Sequence, residues 1–302
     1  MQEILLQLTE LLEDNKQFSF EVLNPDVSSS SYAGSTLEIQ GESYIYRGYK
    51  AWIDLAQILF CKMLTPKLIN EHTVVLTFQK LNREDSFHTG DVEDVKEKYG
   101  SQSHFSAIHK SEEPAFIHAY TKALEAVKVG SRKHILNLGV NSGDEFKTIQ
   151  NMLENPTFNA IKFTGIDYST SAIAQAKENF PSSNMNFYAH DINDMDSLSL
   201  EKSDLIISIG TLQSSSLNFK PFFSSLVQNY LTKDGAIILG FPNCRWIDGE
   251  MVYGAKAPNY SYSEMSIVVK DIYYCKKYLQ QHKYRVTITG KDYLFLTATS
   301  IR

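Results

Sequence analysis

The stretch His134-Ile-Leu-Asn-Leu-Gly-Val-Asn-Ser-Gly-Asp-Glu-Phe146, followed by Phe163-Thr-Gly-Ile-Asp-Tyr-Ser169 and Phe187-Tyr-Ala-His-Asp-Ile192, decides the fold. Each piece is an apolar run that stops at a small or acidic residue. Ile135, Leu136 and Leu138 read as a buried strand, residues 139–143 as a tight turn between two glycines, and the residues from Asp144 onward as a helix. An aspartate suits that first turn, where unpaired backbone N–H groups and the positive end of the helix dipole face outward. A second strand over 161–166 runs into Asp167. Strand, glycine turn, helix, strand and acid, in that order, make half of a nucleotide-binding α/β sheet.

Glycine lets a backbone approach a ligand closely, and an acid ending the second strand can accept both hydroxyls of a ribose. A dinucleotide and S-adenosylmethionine both fit such an arrangement. The dinucleotide fingerprint asks for Gly-x-Gly-x-x-Gly, whereas here Gly139 and Gly143 stand with Asn141 between them. Asparagine tolerates the left-handed backbone region and adds a polar side chain.

Taken together, the three pieces resemble the motifs of the class I S-adenosylmethionine-dependent methyltransferases. Motif I of that family, Asp/Glu-x-Gly-x-Gly-x-Gly, stands here as Asn137-Leu138-Gly139-Val140-Asn141-Ser142-Gly143, with Asn137 in place of the acid and Asn141 in place of the middle glycine. Gly165-Ile166-Asp167-Tyr168-Ser169 is similar to the second motif and His190-Asp191-Ile192 to the third. The resemblance covers residues 100–302 and implies a Rossmann-like seven-stranded core, mostly parallel with an antiparallel closing strand. It also implies S-adenosyl-L-methionine as cofactor, lined by Asn137, Gly139, Val140, Asn141 and Gly143. By the same resemblance Asp167 takes the ribose diol, Tyr168 lies beside the adenine, and Asp191 with Ile192 meets the adenine, Asp191 at its amino group. Ser208 and Gly210 complete the cofactor cleft.

The remaining chain fits that order. Residues 204–210 and 236–240 read as buried strands, 219–231 and 262–281 as helices, and Lys233-Asp234-Gly235 as a turn. Residues 284–289 and 293–298 alternate around Gly290-Lys291-Asp292, a hairpin signal. A dinucleotide-binding domain would continue as a second parallel half, so the closing hairpin favours S-adenosylmethionine over NAD.

Composition sets the frame. A chain of 302 residues with 43% hydrophobic and 21% charged residues has the balance of a soluble globular protein. Its net charge of −6 argues against broad, sequence-independent contact with nucleic acid. Three widely spaced cysteines, Cys61, Cys244 and Cys275, contain no CxxC pair and read as reduced thiols rather than as a disulfide framework or a metal site. No apolar run reaches the ~20 residues of a membrane span, and the acidic N-terminus is unlike a signal peptide. The expectation is a cytoplasmic protein without a membrane partner.

Before the core, residues 1–88 read as a small α+β unit. An amphipathic helix over 2–14 is followed by a strand from Phe18, a serine-rich loop, a hairpin around residues 41–43, a helix over 51–64 and a strand over 74–78. Tyr44, Tyr46, Arg47, Tyr49 and Trp52 form an aromatic group around a cation. It serves either as ordinary core or as a surface for substrate or for a homodimer partner. Residues 89–130 connect this unit to the methyltransferase domain at 131–302, with a short helix at 91–98 and a helix over 112–127. The polar run 99–105 stands where the resemblance implies a segment folded over the methionine end of the cofactor.

The methyl acceptor must be sought beyond the carboxyl ends of the strands. After the fourth strand come Thr211 and Ser214 to Ser216, without the Asn/Asp-Pro-Pro-Tyr/Phe of the resembled enzymes that methylate exocyclic amino groups of bases. After the fifth come Cys244 and Arg245, then an insertion containing Tyr253. Cys244 stands where the resembled cytosine-C5 enzymes keep a nucleophile. Arg245 and Tyr253 are the candidate substrate contacts, a cation there pairing with a substrate carboxylate or phosphate, or structurally with Asp248 or Glu250. His104, His190, Tyr253 and Glu250 are unranked candidates for a general base, so the catalytic residues stay unassigned. The sequence leads to a methyltransferase acting on an oxygen or nitrogen of a small molecule. A tRNA- or RNA-modifying enzyme is the first alternative, and a non-catalytic S-adenosylmethionine-binding protein the second.

Overall fold

The computed structural model describes residues 1–28, 30–84, 97, 99–101, 103–214, 216–255 and 264–301. The chain divides into two compact units, Met1–Thr89 with Trp246–Val252, and Gly90–Arg245 with Tyr253–Arg302. Most of the expected helix at 91–98, and residues 262 and 263 of the expected last helix, lie outside the described residues.

In the first unit, α1 (Gln2–Asp14) turns Leu8 and Leu12 inward, one helical turn apart. Strand β1 (Gln17–Leu23) is followed by the hairpin β2 (Thr36–Ile39) and β3 (Glu42–Ile45), then α2 (Tyr49–Ile58). Next come β4 (Cys61–Met63), β5 (Lys67–Leu68) and β6 (Thr73–Lys80). β6 pairs antiparallel with β1, β4 and β5, and Phe20, Trp52, Leu76 and Phe78 fill the core beneath. The aromatic group divides: Trp52 and Tyr46 are buried, the Tyr46 hydroxyl donating to Pro25 O, while Tyr49 is exposed and Tyr44 and Arg47 are half-buried. The helix expected over 51–64 stops earlier. Phe60 turns left-handed, and Cys61 to Met63 pair with β6, whose ladder is otherwise open at that end. The short run of apolar residues there suits either period, and the free edge decides. Residues 246–252 group with this unit: Ile247 and Val252 pack with Leu81, and the Asp248 carboxylate accepts the Asn82 N–H at 3.0 Å.

The second unit is built on a seven-stranded sheet. Its elements begin with α3 (Pro114–Ala126), β7 (His134–Leu138), α4 (Asp144–Met152) and α5 (Asn155–Asn159). They continue with β8 (Lys162–Asp167), α6 (Thr170–Asn179), β9 (Met185–Ala189) and β10 (Ser203–Ile209). Then follow α7 (Phe219–Ser225), β11 (Leu231–Pro242), α8 (Ser266–Gln281), β14 (Tyr284–Gly290) and β15 (Tyr293–Ser300), while β12 (Cys244–Ile247) and β13 (Glu250–Tyr253), between β11 and α8 in the chain, lie mostly in the first unit. The strand order is β14-β15-β11-β10-β7-β8-β9, parallel except for β15, which runs antiparallel to its neighbours β11 and β14. The order reverses between β7 and β10, the switch point where open α/β sheets take their ligands. This is the Rossmann-like seven-stranded methyltransferase core, and β7, β10 and β11 are buried on both faces as parallel strands require.

One expected boundary fails inside this sheet. Lys233-Asp234-Gly235 does not interrupt β11, because the register against β10 shifts between Ser203 and Leu205 and a bulge absorbs the extra residues. A Cβ on Gly235 would stand 2.5 Å from Leu231 Cδ1, so a side chain there would displace the buried Leu231. Among the described residues no helix is long and apolar enough to cross a membrane.

Candidate functional site

The glycine turn after β7 is tied down from below. Gly139 N and Val140 N both donate to Ile166 O, at 2.8 and 3.1 Å, which locks the turn onto β8. Gly139 (φ +74°), Asn141 (φ +45°) and Gly143 (φ +97°) all take left-handed backbone. Gly139 also faces Thr211, whose Oγ1 would lie 1.8 Å from an added Cβ and which donates to Leu138 O. Val140 is fully buried and its methyls pack on Gly165, so only its backbone can meet a ligand.

Asp167 ends β8 beside this turn. Its Oδ2 accepts the Asn141 N–H at 2.9 Å and its Oδ1 the Ser169 N–H at 3.0 Å. Burial raises the carboxyl above the ordinary aspartate range, and these N–H groups offset part of that rise. The acceptor capacity that these N–H groups leave on the carboxylate suits ribose hydroxyls. Ser169 caps α6 through its hydroxyl and the Ala172 N–H. Glu97 reaches the same helix start, accepting the Thr170 N–H at 2.9 Å and the hydroxyls of Ser169 and Ser171. The Asn141 amide donates to Tyr99 O at 2.7 Å, so Tyr99 is fastened to the glycine turn as well.

Below the turn lies a charged pair that the sequence reading missed. Lys110 Nζ stands 2.6 Å from Glu145 Oε1, with the lysine side chain 14% exposed and the glutamate 2%. Asn137, fully buried, donates from Nδ2 to Glu145 Oε2 at 3.3 Å. Burial opposes charge on Lys110, but Glu145 reverses the balance and raises its pKa above the ordinary lysine value. A cavity of about 350 Å³ opens here, lined by Phe105, Lys110, Asn141, Asp144, Glu145 and Tyr293 among others. A second acid beside Asp144, eight residues after Asn137, was the available signal.

The other expected residues are distributed along the carboxyl edge of the sheet. Tyr168 is 44% exposed just after β8. Asp191 follows β9 and caps the short turn 192–198 by accepting the Asn193 N–H, while Ile192 packs against the core. Ser208 is buried near the end of β10, donating to Leu138 O, whereas Gly210 faces open space apart from Pro242. Gln213, three residues further, was not anticipated: both atoms of its amide are buried and without a hydrogen-bond partner among the described residues.

Arg245 lies half-buried on β12, and the Asp248 carboxylate accepts the Asn82 N–H. Tyr253 is exposed, its hydroxyl 3.5 Å from Met265 Sδ. Cys244 is buried and its thiol is pushed up to about 12 by burial and then by Asp292, which disfavours a thiolate nucleophile. His190 is held by Asp194 O and Ser197, His104 sits in an exposed turn and Glu250 is exposed.

This donor set fits S-adenosylmethionine: a half-buried acid at the end of β8 for the ribose, a glycine turn that brings backbone close, and a cavity beside it with both signs of charge. The fold and the site thus define a seven-stranded α/β nucleoside-binding enzyme core. Residues 130–281, half of the chain, match the methyltransferase domain family. The chain belongs to that family and is a class I methyltransferase whose methyl donor is S-adenosyl-L-methionine. No curated protein matches it.

Solved structures resemble it at low identity. The N-methyltransferase NodS from Bradyrhizobium japonicum WM9, in complex with S-adenosyl-L-homocysteine, is 16% identical over 64% of this chain and 91% of that one, with a TM-score of 0.44. The plantazolicin methyltransferase BpumL, in complex with a monoazolic desmethylPZN analog and SAH, is 15% identical over 64% and 87%, with a TM-score of 0.43. The ribosomal protein L11 methylase from Lactobacillus delbrueckii subsp. bulgaricus is 12% identical over 62% and 79%, with a TM-score of 0.40.

Proposed function

We propose that this methyltransferase acts on an oxygen or nitrogen of a small molecule. The observation that supports this most is the charge at the carboxyl edge of the sheet. Asp144, Asp167 and Asp191 stand along it, and Lys110 with Glu145 adds no net positive charge. A polyanionic nucleic-acid backbone would meet a repulsive surface there. The raised thiol of Cys244 speaks against carbon methylation through a covalent ring adduct.

When bound, S-adenosylmethionine supplies an already activated methyl group, which leaves the chain to bind, align and exclude water. In this reading Asp167 accepts the ribose hydroxyls, and Tyr168 with Asp191 and Ile192 borders the adenine. The backbone of Gly139, Val140 and Asn141 follows the cofactor, Asn137 and Gly143 shape the turn, and Ser208 and Gly210 border the donor side. Arg245 and Tyr253 are assigned to the acceptor. The unit over 1–88, joined by residues 89–130 to the domain at 131–302, is assigned to acceptor recognition.

The test is transfer of labelled methyl from S-adenosylmethionine into a fractionated cell extract. Label in the low-molecular-weight fraction, insensitive to ribonuclease and protease, is the expected outcome. Label that ribonuclease releases would replace this reading with an RNA-modifying one.

A further inference from the structure

The acid that motif I would carry at position 137 is absent, yet the site is not without one. Glu145 stands on α4 eight residues later, buried, with the Asn137 amide on one oxygen and Lys110 on the other. Both partners of the ion pair line the cavity of about 350 Å³. Of the two, Lys110 is the more open, and an ammonium group carries three donors, more than the one approach of Glu145 Oε1 can use. The cavity begins beside the ribose acid: Asn141 gives its backbone N–H to Asp167 and also lines the cavity. Asp144 lines the same space and brings a second carboxylate.

We propose that Lys110 is the anchor for the carboxylate of the cofactor's methionine end, and that Glu145 is a positioning residue that keeps Lys110 charged and aimed. This rests on the cofactor reading above and adds the recognition of its amino-acid end. A zwitterion is the ligand such a cavity takes at least cost. Its carboxylate shares the Lys110 ammonium with Glu145, and its own ammonium finds Asp144, so no unpaired charge is buried. A lone anion at Lys110 would stand against Asp144 and Glu145. Asn137 fits the same scheme: a neutral amide donates to Glu145, where a second buried carboxylate would repel it.

The experiment is calorimetric titration of the full chain with S-adenosylhomocysteine, its decarboxylated analogue and 5′-methylthioadenosine. Wild type is expected to prefer S-adenosylhomocysteine over the decarboxylated form by about 10–100-fold, the range of one charge-assisted hydrogen bond. K110M should lose that preference while binding methylthioadenosine as wild type does, and K110R should keep most of it. Equal binding of both forms by wild type would overturn the proposal, and so would a K110M variant that loses S-adenosylhomocysteine and methylthioadenosine alike. Should K110M fail to fold, the double variant K110M/E145L, which strands no lone charge, takes its place with the same expected loss of preference. Wild type that binds none of the three ligands would instead overturn the cofactor reading beneath it.

Discussion

Lys110 and Glu145 meet at 2.6 Å beneath the glycine turn, the lysine from the segment before α3 and the glutamate from the first turn of α4. Removing one partner of such a pair strands the other charge away from water. Glu145→Gln is therefore expected to destabilise the chain by about 3–5 kcal/mol in urea denaturation, and the double variant K110M/E145L to recover most of that loss. The raised pKa of Lys110 sets the sign of the pH dependence. Its contribution is complete below the ordinary lysine value of 10.5 and is lost only as pH rises past the folded value. A marked change between wild type and the double variant across neutral pH would contradict this.

Gly139 offers a second test. Its φ of +74° already disfavours any side chain, and an added Cβ would fall 1.8 Å from Thr211 Oγ1 and 2.9 Å from Thr211 Cβ. Gly139→Ala should cost about 2–4 kcal/mol of stability and weaken S-adenosylhomocysteine binding at least tenfold. Adding Thr211→Ala removes the shorter contact but not the longer, so the double variant should regain part of the stability only. Full recovery would show that the backbone conformation carries little of the cost.

The core was legible because its signals were local and redundant. The buried run 135–138 and the left-handed turn at 139–143 adjoin, the acid at 167 ends the next strand, and the buried run 205–209 repeats the pattern, so each fits the others. Lys110 was not legible, since nothing in the sequence around it indicates that a chain reversal will bury it against Glu145. Gln213 was hidden for a related reason: a polar residue after a strand normally reads as solvated, and only packing shows that its amide is enclosed. The end of α2 and the start of β11 were misplaced where a free sheet edge or a bulge overrode local pattern.

The three cysteines should resist modification. Burial pushes the thiol of Cys61 up to about 11 and that of Cys244 up to about 12, and raises that of Cys275 also. At mildly alkaline pH the thiolate fraction of each is then small and poorly accessible. Iodoacetamide should label the native chain slowly and all three residues rapidly in denaturant, as read by peptide mass spectrometry. Fast labelling of native Cys244 would restore it as a candidate nucleophile.

Asp167 should make cofactor binding sensitive to acid. Burial lifts its folded pKa above the ordinary 3.8, and the N–H groups of Ser169 and Asn141 counter that only partly. In the ligand-free chain the protonated form is therefore the better tolerated. The contribution of this group to stability is complete below 3.8 and is lost as pH rises through the folded value. The ribose hydroxyls, as donors, favour the ionised form instead, so binding pulls the pKa down and releases protons within that window. S-adenosylhomocysteine affinity should accordingly fall on acidification at a pH above 3.8, with net proton release measured by calorimetry in buffers of different ionisation enthalpy. Asp167→Ala should bind at least tenfold more weakly at neutral pH and lose the acid dependence. Binding as tight as wild type by Asp167→Ala would remove this residue from the cofactor site.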